Sequence, residues 1–219
     1  MIALRPLLGT AIRISSPIGL QLVDDFTKGP PLGEIVPHLD ESVGLTFVET
    51  KIAGVVTPSG VLAYPGLGRH AQVTLPPAKT FRIRVDAELY RPFYRAVSDG
   101  IVFNVPPYND AEPIVIPPPT FVQLILLPAF QYQFPSHVPV LRGEVIDNQM
   151  RPVADALVID QLFGERTLTD ERGAFSLALR QLGPGISDTI DVSDRLARTG
   201  SLPITLPGAL ASGVLIPIA

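Results

Sequence analysis

The chain reads as all-β: two small antiparallel β-sandwiches joined by a proline-rich segment that packs instead of floating free. Three observations predict this. Short runs alternate between apolar and polar residues along most of the chain, the period of half-buried strands. The 24 prolines among 219 residues are spread out and interrupt every candidate helix, where proline removes a donor and clashes with the preceding turn. Aspartate, asparagine, glycine and proline recur between the alternating runs, which is turn chemistry.

The first half supplies an N-terminal sandwich over residues 1–110. Residues 12–15 and Ile18 to Val23 read as short strands around Ser16-Pro17, followed by the turn-rich loop DDFTKGPP at 24–31. Glu34 to Leu39 and Leu45 to Ile52 read as strands. Thr57-Pro58-Ser59-Gly60 is a turn, Val61 to Tyr64 a strand, and Pro65-Gly66 its stop. Phe81 to Leu89 is the clearest strand. Phe81, Ile83, Val85, Ala87 and Leu89 share one face, while Arg82, Arg84, Asp86 and Glu88 share the other, so one face is buried and one is wet. Ile101 to Val105 closes this half.

Residues 111–138 read as a connector. Pro117-Pro118-Pro119 favours an extended polyproline conformation. Yet Phe121, Leu124, Ile125, Leu126, Leu127, Phe130, Tyr132 and Phe134 make the segment too apolar for a free linker. It is expected to pack, as an added strand on one sandwich or as a strap across an interface.

Residues 139–219 form the second sandwich. From Leu141 to Leu179 four alternating runs are punctuated by Asp147-Asn148, Pro152, Gly164, Asp170 and Gly173. The pattern G-x-V-x-D, P-V-x-x-A-x-V, T-x-T-D-x-x-G-x-F across these residues resembles the carboxypeptidase regulatory-like family. That resemblance implies a small transthyretin-like, or immunoglobulin-like, sandwich and a scaffold or binding module in place of a catalyst. Gln149 and Met150 replace the small residue that the family places after the acidic turn, which implies a longer hairpin. Beyond Leu179, Thr189 to Val192, Ser201 to Leu206 and Val214 to Ile218 read as strands, with a helical turn near Asp194 to Ala197. The last strand is expected in the core; the alternative is a peptide that docks on a neighbour.

The two halves echo one another. Each shows a strand, an acidic turn, a strand, and later a turn ending in glycine that opens another strand. Two sandwiches of related topology explain this, and so does the general reuse of such turns by antiparallel proteins.

Composition narrows the functional classes. The net charge is −4, charged residues make up 17 %, and the lysines are Lys28, Lys51 and Lys79 alone. With no basic stripe, nucleic acid is not an expected partner. Cysteine is absent, which removes disulfides and thiolate chemistry. The longest apolar run, Phe121 to Phe130, contains Pro128 and is far short of the roughly 20 residues of a spanning helix, so no membrane span is expected. Arg5, Pro6 and Arg13 break the apolar start of the chain, so no signal peptide is expected. The location expected is cytoplasmic, with incorporation into a released particle left open.

No catalytic constellation emerges. His38, His70 and His137 are far apart in sequence and lack metal-ligand spacing. Asp24-Asp25, Asp40-Glu41, Asp110 with Glu112, and Asp170-Glu171 are paired loop acids without a calcium-loop series, and turn-capping is the commoner use of such residues. No cofactor, no metal and no enzyme activity are expected.

Tyr90, Arg91, Phe93, Tyr94 and Arg95 concentrate aromatics and arginines, as interfaces do. With Phe121, Leu126, Phe130 and Tyr132 of the connector and Val214 and Ile216 of the last strand, they are the expected partner interface. The function expected is a structural or adaptor subunit binding other protein subunits of a larger assembly, for instance a phage-tail-like contractile injection particle. The alternative is a carbohydrate- or cell-surface-binding module using tyrosine platforms in a chain without tryptophan.

Overall fold

The computed structural model describes residues 15–70, 74–94, 99–109, 118–181, 183–211 and 213–219. The strand expected at 12–15 therefore lies almost wholly outside the described residues. The rest is an all-β chain of two sandwiches, each made of two sheets.

In the first sandwich, β1 (Ile18–Asp24), β4 (Val55–Val56), β5 (Val61–Ala63), β7 (Tyr90–Phe93) and β9 (Thr120–Pro128) form one sheet, ordered β4-β5-β1-β9-β7. The facing sheet is β3-β2-β6-β8, from β2 (Ile35–Val43), β3 (Thr46–Glu49), β6 (Lys79–Ala87) and β8 (Ile101–Val105). In the second sandwich, β10 (Val140–Asp147), β13 (Ala174–Ala178) and β16 (Val214–Ile218) form a sheet ordered β13-β10-β16. It faces β12-β11-β14-β15, from β11 (Leu157–Asp160), β12 (Arg166–Leu168), β14 (Ser187–Ser193) and β15 (Thr199–Thr205).

These orders are the same topology twice. β5-β1-β9 matches β13-β10-β16, and β3-β2-β6-β8 matches β12-β11-β14-β15, with β4 and β7 as additions to the first sandwich. Every matched pair also runs in the matched direction. The correspondence extends to single residues. Leu22 N–H donates to the carbonyl of Gly60, and Val145 N–H to that of Gly173, both at 2.8 Å. Gly60 and Gly173 have φ of 78° and 73°, a region that favours glycine. A Cβ on either would press on the backbone oxygen of that same partner, at 2.9 and 2.5 Å. The sequence echo is therefore a structural repeat, and it makes Asp24 the counterpart of Asp147.

Both sandwiches depart from a purely antiparallel plan in one way. The last strand returns beside the first and runs parallel to it, β9 along β1 and β16 along β10. In each case the chain arrives from the facing sheet, and such a crossover is what parallel neighbours require.

The segment expected as a connector divides. Residues 120–128 are β9, hydrogen-bonded between β1 and β7 as the added strand of the first sheet. Only the stretch after Pro128 passes to the second sandwich. The core of the first sandwich is Ile18, Leu20, Leu22, Leu39, Leu62, Ile83, Leu124 and Leu126 with Tyr64 and Tyr90; that of the second is built around Leu141, Val145, Val158, Phe175, Ile190 and Ile216. The helical turn expected at 194–197 is instead an aspartate-capped turn, with Asp194 Oδ1 accepting the N–H groups of Leu196 and Arg198. Capping by a short side chain satisfies these amides without a helix.

Candidate interaction surfaces

Tyr90 and Tyr132, expected at a partner interface, are core residues. Both hydroxyls donate to Oδ2 of Asp24, at 3.2 and 3.0 Å, and the rings meet edge to face with centroids 5.5 Å apart. Asp24 is fully buried. It also accepts from Phe26 N, Thr27 N and Thr27 Oγ1. A buried carboxylate is tolerated only when its lone pairs are filled this way. The aromatic spacing that suggested an interface thus serves an internal hydrogen-bond hub.

Leu126 and Ile216, also expected at the interface, are core residues instead: both are fully buried, one on each returning strand, where the inward face of the sandwich requires aliphatics. Val214 is half-buried and packs against the second core. The Tyr94 hydroxyl accepts from Val85 N at 2.9 Å, and burial pushes its pKa up to about 12. Arg95 lies outside the described residues. Phe121 remains exposed, at 77 %, with its ring laid over Gly19 on the neighbouring strand.

Phe93, Phe130 and Arg91 lie where the two sandwiches meet. Arg166 of β12 donates twice to Asp25, both at 3.0 Å, and its guanidinium lies over the Phe93 ring. Arg180 pairs with Glu165, donates to the carbonyl of Phe26 at 2.7 Å and stacks on the Phe26 ring. Thr167 Oγ1 donates to the Pro128 carbonyl and Ser176 Oγ to the Phe130 carbonyl. Arg142 faces the Phe130 ring. Arg195 reaches back to Asp99. Burial works to raise the Asp25 carboxyl, and the hydrogen bonds from Arg166 and Lys28 outweigh it, so it titrates below its ordinary value. Stacked, bidentate arginine at such a junction fixes orientation better than a point charge. The roles of Arg166 and Arg180 were not legible in the sequence because Asp25 and Phe26, which they reach, lie more than a hundred residues away.

Next to this junction runs a groove of about 360 Å³, lined by Asp86, Glu88 and Arg91 from the first sandwich and Asp170, Glu171 and Arg172 from the second. Charges of both signs line it. Among the described residues no group of His, Asp or Glu side chains suits a metal ion. His38 sits instead between Glu49 and Asp86, at 2.7 and 3.1 Å. The neighbouring Asp40 is clamped by Arg84 and Arg82; the bond from Arg84 leads in holding its carboxyl below the ordinary value.

Among the described residues, the acids Asp160 and Asp188 face each other without a salt-bridge partner. Asp160 on β11 and Asp188 on β14 lie within hydrogen-bonding reach of each other, and burial, then Asp160, pushes Asp188 up to about 6. The Oδ2 atom of each meets no protein donor. Burial and the facing Asp160 carboxyl both favour the protonated form of Asp188.

The surface with the least internal explanation is one side of the first sandwich. There β3 and β4 are the outermost strands of their sheets. Val43, Leu45, Val48, Ile52, Val55 and Val56 are all exposed along it. Edge strands are normally blunted by charge or proline. The described residues include no helix long and apolar enough to cross a membrane.

No family model matches the chain, and no curated protein matches it. Among solved structures, it is similar to the Bacillus anthracis TIE protein at 10 % identity and a TM-score of 0.31, covering 93 % of this chain and 33 % of that one. The chain thus spans about a third of that protein's length. It is similar to the shaft pilin SpaA of Lactobacillus rhamnosus GG at 10 % identity and a TM-score of 0.32, over 93 % of this chain and 97 % of the other. A C-terminal fragment of the pilus adhesin SpaC from the same organism follows at 11 % identity and a TM-score of 0.23, over 92 % and 95 %.

Proposed function

We propose that the chain is a non-enzymatic structural or adaptor subunit of a larger protein assembly. The observation that carries this is the exposed side along β3 and β4, where six aliphatic residues outnumber the charged Glu49 and Lys51. An edge of this kind is a ready template for pairing and burial against another protein. The junction supports the same reading, since two sandwiches locked by arginines act as one rigid building block. The resemblance of residues 141–179 to carboxypeptidase regulatory-like modules fits a scaffold of this type. The carbohydrate alternative has lost its platform: Tyr64, Tyr90, Tyr108 and Tyr132 are buried, and the Tyr94 hydroxyl is engaged by the backbone.

The test is the native mass of the protein in lysate, by gradient sedimentation with mass spectrometry of what co-migrates. Migration in a large particle is expected. Co-migration with the components of a phage-tail-like contractile injection particle would name that setting. A free monomer throughout the gradient would overturn the assembly reading.

A further inference from the structure

The internal repeat sets an ion pair in one module against an acid pair in the other. In the first sandwich Glu41 lies opposite Phe81 across β2 and β6, and Lys79, two residues before Phe81, pairs with Glu41 at 2.7 Å. In the second sandwich Asp160 lies opposite Ile190 across β11 and β14, and Asp188 stands two residues before Ile190. Where the repeat supplies a lysine, the second sandwich has Asp188. No lysine follows Lys79 in the chain, so no ammonium fills the space between the two carboxyls.

The pair sits at the root of the hairpin that builds the junction. Asp160 Oδ1 accepts the N–H groups of Leu162 and Phe163, and the Asp160 main chain bonds to Gly164 and Glu165. The next residues make the contacts: Glu165 with Arg180, Arg166 with Asp25, and Thr167 with the Pro128 carbonyl. Leu162 and Phe163 at the tip are exposed, so core packing does not pin the hairpin. It is tied to β14 by Gln161, whose N–H donates to the Thr189 carbonyl and whose side chain reaches Asp191.

The charged groups nearby do not relieve a second negative charge at this place. Asp160 faces Asp188 from β11. Glu165 and Arg180 pair with each other, and Arg166 with Asp25. Asp191 is on the opposite face of β14 from the buried Ile190 and Val192. On β10, Leu141 and Val145 are buried, while Arg142 and Glu144 are exposed. Residues 181–186 and Thr199 to Ala219 include no Asp, Glu, Lys or Arg.

We propose that the Asp160–Asp188 pair is a pH-sensitive latch on the junction between the two sandwiches. With a proton on Asp188 the hairpin stays seated and presents Glu165 and Arg166 to their partners. Loss of that proton sets two carboxylates against each other in a site closed to water, where repulsion is strong. The exposed hairpin yields before the core strands behind it. Arg166 and Arg180 are drawn off Asp25 and Phe26, and the sandwiches lose their fixed orientation. Asp188 titrates at about 6, above its ordinary value, so the latch holds below that pH and opens above it.

The chain has no cysteine. Thr46→Cys on the first sandwich and Ser201→Cys on the second, both at exposed positions, therefore carry a pair of spin labels. Double electron–electron resonance gives the distribution of distances between them at about pH 5 and about pH 7.5, on either side of the Asp188 value. Asp25, held below 3.8, is ionised at both. The labelled wild type is expected to give a narrow distribution in acid and a broad one at the higher pH. Asp188→Asn keeps the contact without the second charge and is expected to stay narrow at both. Asp160→Asn removes the repulsion from the other side, with the same expectation, and serves if the first variant does not fold; circular dichroism checks each. Arg166→Ala is expected to be broad at both. A wild-type distribution that does not change with pH overturns the latch. Broadening that persists in the asparagine variants also overturns it, and assigns the response to other groups, such as histidine, that change charge in this range. A narrow distribution in Arg166→Ala at both pH values overturns the role given to the junction contact.

Discussion

The two sandwiches share one topology and use its equivalent positions differently. Asp24 and Asp147 both end the first strand of their sandwich, and both accept the N–H two residues on through Oδ1. Asp24 turns its second oxygen inward to Tyr90 and Tyr132. Asp147 turns its second oxygen outward to Arg151, which leads in pulling its pKa down to about 2. The same local turn is thus a tyrosine-lined core hub in one module and an arginine clasp in the other. What differs is the neighbouring structure: the first sandwich has the extra strand β7 and the aromatic exit from β9, and the second has neither.

Substitutions at the matched positions break or sharpen this comparison. The largest effect is expected from Asp24→Ala, which strands two buried tyrosine hydroxyls and two backbone amides; a loss of about 4 kcal/mol follows from removing one partner of a buried network. Asp147→Ala is expected to cost clearly less. Urea unfolding of both variants decides it, and equal losses would mean that the hub is no more than a turn cap.

Gly60→Ala and Gly173→Ala come next. Both force an unfavourable left-handed backbone on a residue with a Cβ, at about 1–3 kcal/mol. The loss is expected to be larger at Gly173, where the approach to the carbonyl is closer. The ranking is read from denaturation midpoints, and the reverse order would contradict the matched register.

Arg166→Ala removes two hydrogen bonds to Asp25 and the stacking on Phe93, which is expected to cost about 1–2 kcal/mol of coupling. Calorimetry should then show two separated transitions where the wild type shows closer ones. Acid does the same more gradually. Asp25 has a lowered folded pKa, so its contribution is present above the ordinary value of 3.8 and is lost as pH falls through the folded value. A junction indifferent to both changes would show that the contacts do not couple the modules.

The smallest effect has the opposite sign. Asp188 has a raised folded pKa of about 6 against 3.8. Its contribution is complete below the lower value and is lost as pH rises through about 6. Asp188→Asn supplies a permanent donor to Asp160. The variant is expected to melt a few degrees above wild type at alkaline pH and level with it in acid. A melting difference independent of pH would dismiss a protonated Asp188 in the folded chain. The first sandwich has no matching acid pair among its described core residues, so this loss on raising the pH belongs to the second.

Alternation made Phe81, Ile83 and Val85 legible as inward residues, and turn chemistry made Thr57 to Gly60 and Asp170 to Gly173 legible as turns. It also exposed the echo between the halves. These readings hold because strand period and turn preference are local properties, decided by residues a few positions apart. The tertiary structure decided the rest. It set β9 and β16 parallel beside β1 and β10, drew Tyr90 and Tyr132 into the core, aimed Arg166 and Arg180 at the first sandwich, and left β3 and β4 uncovered. Each of these depends on a partner far along the chain. An aromatic beside an arginine has the same local pattern whether it faces a core aspartate or a neighbouring protein, and only the distant partner tells them apart.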